Sequence, residues 1–205
     1  MKRLYRSLAH NYAEGGIPLL LKKTVGVAAQ KAWSRTEWLV YEQETVARSS
    51  LQSFSTRHKL LNFDELERLG YSKALAFPEN IRERFARGDT CHGFFHSGQL
   101  VTLGWSGANY MELNIGETLE CPNAWGLFDF VTMPTFQLRG YYTDALKQLA
   151  RLAHEGGFKS LWIAVHPANI ASIKGIERAG FRPARKVSKR RVLGVSILSN
   201  KALKN

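Results

Sequence analysis

The sequence predicts a mixed α/β (α+β) domain built on one central sheet, and three observations predict it. Apolar runs of strand length alternate with segments of helical period, and from residue 124 onward the order is β-α-β-α-β. Glycines stand where the helical segments should stop, at Gly70, Gly88, Gly156 and Gly180. The 205 residues are 44% apolar and 22% charged, enough to bury a core and too apolar for a disordered chain.

In chain order, residues 17–35 are expected to form a short basic, partly amphipathic helix. It would lie within a basic N-terminal extension, 1–35, ahead of a domain spanning 36–205. "EWLVYEQE" (Glu37–Glu44) reads as the first strand. "NFDELERLG" (Asn62–Gly70) and "FPENIRERFARG" (Phe77–Gly88) read as helices closed by glycine. "TCHGFFHSGQLVTLGWSG" reads as two strands joined at Ser97-Gly98, a two-residue hairpin turn.

"AWGLFDFVT" is a buried strand, and Leu146, Leu149, Ala150 and Ala153 recur at i, i+3, i+4, i+7 in the helix that follows. "KSLWIAV" (Lys159–Val165) is again a strand, and "NIASIKGIERAGF" (Asn169–Phe181) a helix with Asn169 as N-cap. "RVLGVSIL" is read as the last strand.

The formal charge of +12 is unevenly placed. Residues 1–35 carry +6, residues 182–205 carry +8 without an acid, and the middle carries −2. Such ends suit solvated tails or a peripheral contact with an anionic membrane. "RKVSKRR" has neither interleaved aromatics nor a recognised motif, so no nucleic-acid partner is expected. No run of eighteen apolar residues predicts a membrane span, and the N-terminal "IPLLL" is too short for a signal peptide. Cys91 and Cys121 form no CxxC, which suits a reduced, cytoplasmic compartment.

The chemistry lies in "MPTFQLRGYYTDAL" (Met133–Leu146), where a strand leaves through proline and a helix opens on one glycine. Gly140 lacks a Cβ, and the helix entrance offers unpaired N–H groups and a positive dipole end. A phosphate-bearing ligand fits that arrangement, although neither GxxxxGK[ST] nor GxGxxG is present. Cys91, His92 and His96 share one hairpin strand without a partner elsewhere, so no metal is expected. "GWSGA" around Ser106 does not satisfy G-x-S-x-G.

Two ordered elements, "PTFQLRG" after one strand and "NIAS…AGF" after the next, resemble the GNAT superfamily of acyl-CoA-dependent N-acyltransferases. The resemblance is firm over Ala124–Arg182, extends back to Gly88 and is absent over 1–35. It implies a mostly antiparallel mixed sheet flanked by helices and splayed between its two central strands. It implies acetyl-CoA, or another acyl-CoA, as co-substrate, with Gln137, Leu138, Arg139, Gly140, Tyr141 and Tyr142 around the pyrophosphate. Asn169 and Ser172 would meet pantetheine, and amides near Val131 and Thr132 would hold the reacting carbonyl. Asp129 would face the acceptor as base, and Trp105, with the loop Gly107–Ala124, would shape the acceptor pocket.

The activity implied is acetyl transfer to a primary amine of a small molecule or cell-surface precursor, by direct attack in a ternary complex. A longer acyl-CoA or an acyl carrier protein as donor is one alternative, and a catalytically degenerate binding or regulatory protein is another. A homodimer is left open. Two positions depart from the family pattern: Tyr142 replaces the last Gly/Ala of the loop, and Ile176 the tyrosine that protonates the thiolate.

Overall fold

The computed structural model describes residues 33–45, 54–70, 78–114, 117–192 and 195–203. Among these, residues 38–45, 54–70, 78–114, 117–186 and 202–203 form one compact unit, and 33–37 with 187–192 and 195–201 form a second. The strands are β1 (Trp33–Glu44), β2 (Arg57–Leu61), β3 (Thr90–His96), β4 (Gln99–Asn114), β5 (Glu117–Thr132), β6 (Ser160–Val165), β7 (Arg182–Val192) and β8 (Val195–Ala202). The helices are α1 (Phe63–Arg68), α2 (Pro78–Arg87), α3 (Tyr141–Glu155) and α4 (Ile170–Ala179).

In the larger unit the strand order is β2-β3-β4-β5-β6-β1-β7. β2–β3, β3–β4, β4–β5 and β6–β1 run antiparallel, while β5–β6 runs parallel. In the smaller unit the outer part of β7 lies beside β8. The sheet is therefore mixed and mostly antiparallel, as the sequence led us to expect.

The periodic residues of α3 do what their spacing predicts. Leu146, Leu149, Ala150 and Ala153 are buried against Leu127 of β5, Leu161, Ile163 and Val165 of β6, and Ile176, Ala179 and Phe181. Ile176, at the position where the resemblance leads one to look for a tyrosine, is fully buried in this core.

Three expectations are corrected. The presumed loop Gly107–Ala124 is the outer half of a long β4–β5 hairpin, with Tyr110↔Glu120, Met111↔Leu119 and Glu112↔Thr118 paired. Met111, Leu119 and Cys121 are buried while Thr118 and Glu120 are exposed, a period-two pattern that polar and glycine residues obscure. Gly126 allows the close approach there, since a Cβ would lie 2.0 Å from the Tyr110 carbonyl oxygen.

The basic C-terminal segment is two strands rather than a solvated tail. Val187 is fully buried and the Arg185 guanidinium lies 4.6 Å from the Trp162 ring centroid, so aliphatic stems and cation–π contact offset the charge. "RVLGVSIL" consequently straddles the end of β7 and the start of β8. Of the helix expected over 17–35, residues up to 32 lie outside the described residues, and Trp33–Arg35 already belong to β1.

His92 shows how polar groups are carried inside the sheet. Its Nδ1 meets His58 Nε2 at 3.0 Å and its Nε2 meets Ser106 Oγ at 2.8 Å. Burial, with His58 adding to it, pushes the His92 imidazole down to about 3, and burial also lowers His58. Both rings fold as neutral bases while the unfolded chain protonates near 6.5. Their stabilisation is complete above that value and is lost as pH falls towards 3. Thermal melting should decline steadily on acidification from pH 6.5, and His92→Leu with Ser106→Ala should flatten the decline.

Candidate functional site

The site begins where β5 leaves β6. Their parallel ladder runs from Ala124↔Ser160 to Leu127↔Ile163, whereas β5 stays paired with β4 as far as Thr102↔Thr132. Beyond Leu127 the two strands diverge, and Ala164 and Val165 pair with β1 instead. The divergence exposes one backbone edge of residues 128–132. Met133 N–H bonds the Val101 carbonyl, so strand alternation turns the Thr132 amide towards the cleft and the Val131 amide towards β4.

A 3-10 turn at Pro134–Phe136 ends the strand, and two residues then take left-handed backbone: Leu138 at φ 61° and Gly140 at φ 84°. Leu138 is 98% exposed, so packing does not impose this conformation. Gly140 is the N-cap of α3, and the first helical bond runs from Asp144 N–H to its carbonyl. Helix geometry therefore leaves the amides of Tyr141, Tyr142 and Thr143 unpaired within the helix. A Cβ on Gly140 would meet nothing within 4 Å, so the glycine faces open space.

A groove of about 480 Å3 lies over this turn. Val131, Thr132, Gln137, Leu138, Gly140, Tyr141, Tyr142, Asn169 and Ser172 line it, joined by Gly175 and Arg178 of α4. Arg139 is not among the lining residues; its guanidinium lies 5.9 Å from the Phe136 ring centroid. Gln137 Nε2 donates to the Thr132 carbonyl at 3.2 Å, and Asn169 Oδ1 accepts from Ser172 N–H at 3.1 Å as the cap of α4.

Tyr142 stands in the loop without closing it because α4 makes room for its ring. A Cβ on Gly175 would lie 2.6 Å from Tyr142 Cδ1, and Thr143 Oγ1 donates to the Gly175 carbonyl at 3.2 Å. Burial raises the phenol, opposed by its contact with Ser172. The sign of Gly175→Ala reports this packing. Alanine in a helix normally gains about 1 kcal/mol over glycine, while overpacking costs about 1–3 kcal/mol. Urea denaturation should show Gly175→Ala destabilising the protein and stabilising it in a Tyr142→Ala background.

A second cavity, about 240 Å3, adjoins the groove and shares Phe130, Tyr142, Asn169 and Ser172 with it. Asp129, His166, Trp38, Leu113, Phe128 and the end of β6, Ile163 to Val165, complete its walls. Asp129 sits at φ 49° in a bulge: it and Phe130 together oppose Gly104, between the pairs Leu103↔Val131 and Trp105↔Phe128. Gly104 is required because a Cβ there would come within 2.3 Å of the Phe130 ring. The Asp129 side chain is 58% exposed and is ion-paired through Oδ2 with Arg84.

The structure thus gathers Val131, Thr132, Gln137, Leu138, Gly140, Tyr141, Tyr142, Asn169 and Ser172 at one groove and Asp129 at its neighbour. It does not bring Trp105 there. Trp105 is fully buried, edge-on to Phe85 and 5.3 Å from Arg84 Cζ, a packing role. Sequence reasoning missed Arg84, Glu112, His166, Gly104 and Gly175. The only signal for the first was Arg84 and Arg87, three apart and so on one face of α2.

Among the described residues no cluster of three or more His, Cys, Asp or Glu side chains is arranged to hold a metal. Ser106, bonded to His92 inside the sheet, is 1% exposed and has no substrate access. Both cysteines are buried thiols, which burial pushes up to about 12. No described helix is long and apolar enough to cross a membrane.

The sheet is thus splayed beside a helix N-terminus, and a groove and a cavity that contains Asp129 meet at the split. The model of the acetyltransferase (GNAT) domain matches residues 71–182. This chain belongs to the GNAT acetyltransferase family.

Solved structures agree on the fold. A GNAT-family acetyltransferase of Colwellia psychrerythraea aligns with TM-score 0.54 and 14% identity over 89% of this chain and 62% of that one. A Drosophila protein aligns with TM-score 0.53 and 12% identity over 85% and 57%. A GNAT-family acetyltransferase of Novosphingobium aromaticivorans gives 0.51 and 15% over 84% and 69%. The chain thus spans about three fifths of the length of the first two. No curated protein sequence matches it.

Proposed function

We propose that the protein is an N-acyltransferase that moves an acyl group, most simply acetyl, from coenzyme A to a primary amine of a small molecule or cell-surface precursor. The observation that supports this reading best is the meeting of groove and cavity at the β5–β6 split, with Tyr142, Asn169 and Ser172 lining both. One ligand enters along the α3 side and the other from the Asp129 side, and they meet at the exposed edge of β5.

The amides at the start of α3 and the open backbone at Gly140 hold the pyrophosphate. Asn169 and Ser172 flank the pantetheine arm. The Thr132 amide, turned towards the cleft, donates to the thioester carbonyl, where negative charge grows as the C–N bond forms. Asp129 attracts the acceptor as a cation and takes, directly or through water, the proton that the nitrogen must lose to attack. The nitrogen, cationic again once the C–N bond has formed, gives its second proton to water as the C–S bond breaks and the thiolate leaves. Half-buried Tyr142, its phenol pushed upwards, steadies that thiolate as a hydrogen-bond donor and keeps its own proton.

Ligand-dependent melting checks the donor class. Acetyl-CoA should raise the melting temperature, with free CoA close behind and longer acyl-CoAs ranked by fit. If no CoA species at millimolar concentration shifts the transition, the reading is wrong. A shift by long acyl-CoAs alone would move the assignment to a longer acyl donor.

A further inference from the structure

Asp129 is one end of a charged chain that runs into the protein. Arg84 of α2 donates from Nη2 to Asp129 and from Nε to Glu112 Oε2 of β4 at 3.2 Å. Arg87, one turn on, donates to the same Glu112 oxygen at 3.0 Å and to Asp89 Oδ2 at 2.5 Å. Tyr110 donates to the other Asp89 oxygen and accepts from Arg87 Nε at 3.0 Å. Side-chain exposure is 9% for Arg84, 5% for Glu112 and 0% for Asp89, against 58% for Asp129. Three carboxylates face two guanidinium groups, so the chain carries one surplus negative charge, and Asp129 is its only solvent-facing carboxylate.

Arg84 is also fixed from its flanks. Its Cζ lies 5.3 Å from the Trp105 ring centroid and 5.2 Å from that of Phe128, the residue before Asp129. Its fork therefore reaches the bulge as a rigid arm, and it engages only Oδ2, leaving Oδ1 to a ligand.

We infer that Arg84, buttressed by Glu112, is a positioning residue for acceptor binding: it aims the Asp129 carboxylate into the acceptor cavity as a fixed anion that selects cationic amines. This inference rests on the N-acyltransferase reading above. An exposed aspartate at a strand bulge samples several rotamers, and the pairing restricts them before the acceptor arrives.

The test compares steady-state kinetics of the full chain at saturating acetyl-CoA, with spermidine, glucosamine and L-leucinamide as probes. Removing Arg84 alone strands buried Glu112, so the informative variant is Arg84→Met with Glu112→Leu, an apolar replacement of the buried pair. We expect it to melt cooperatively, bind acetyl-CoA within about twofold of wild type, and lose at least tenfold in kcat/KM for the best amine, mostly through KM. Arg84→Lys should recover part of that loss. Asp129→Asn, costly alone, should cost little more in the double-variant background.

Wild-type turnover with an unchanged acceptor KM in the double variant, or with fully additive Asp129→Asn effects, overturns the positioning role. So does an equal loss in acetyl-CoA affinity, which would mark a general structural effect. A wild type that acetylates none of the probes while binding acetyl-CoA would instead sink the N-acyltransferase reading, and this inference with it.

Discussion

Gly140→Val should abolish measurable acetyl-CoA binding while the protein remains folded. The glycine adopts φ 84°, ψ −4°, a left-handed conformation that costs an L-residue about 1–2 kcal/mol. A branched side chain raises that cost, but most domains of this size tolerate such a loss. No protein atom lies within 4 Å of the added Cβ, so the fold itself has room. The isopropyl group instead fills the space over the amides of Tyr141, Tyr142 and Thr143. Isothermal titration should show at least a hundredfold weaker binding, while circular dichroism and urea unfolding report a native protein of lower stability. Retained affinity would remove this turn from the donor site.

Asp129→Asn should strike turnover rather than donor binding. Asparagine is isosteric with aspartate and among the residues most tolerant of left-handed backbone, so the bulge at φ 49° should persist. An amide oxygen can still accept from Arg84. What disappears is the negative charge facing the acceptor cavity and the capacity to take a proton. Loss of a general base typically costs about 10²–10⁴ in rate, and kcat/KM for the amine should fall within that range. The acetyl-CoA dissociation constant should stay within about twofold. A pH–rate profile that keeps its acidic limb unchanged would assign the proton transfer to another group, leaving Asp129 as an electrostatic anchor.

The parts of the fold that could be read from the chain are those in which local chemistry and burial agree. Leu146, Leu149, Ala150 and Ala153 repeat with helical period because one face of α3 is covered. Gly180 at φ 103° ends α4, where its sequence position predicted a stop. The turn beneath the groove was legible for the same reason: proline, glycine and helix start are adjacent in sequence.

The surroundings of Asp129 were hard to read because they are assembled from residues distant in sequence. Arg84, Glu112 and Asp129 meet only after α2, β4 and β5 are in register. Nothing in the composition of Gly107–Ala124 shows that Glu112 is a buried counter-ion on a strand rather than a solvated loop residue. Gly104 and Gly175 are silent in sequence too, since each matters through one distant ring, Phe130 or Tyr142. The basic segment 182–205 misled for a related reason. Charge density suggested solvent, whereas the burial of Val187 and the stacking of Arg185 on Trp162 belong to strands.

The central claim is that acetyl-CoA and an amine react directly where the groove meets the acidic cavity. Incubating the purified protein with acetyl-CoA and each amine, while measuring free thiol and N-acetyl product by mass spectrometry, tests it most directly. We predict thiol release that depends on the amine, one N-acetylated product per thiol, and no acetylated protein accumulating on the way. Amine-independent thiol release, an acetyl group retained on the protein, or no product from any amine despite saturating donor would contradict it.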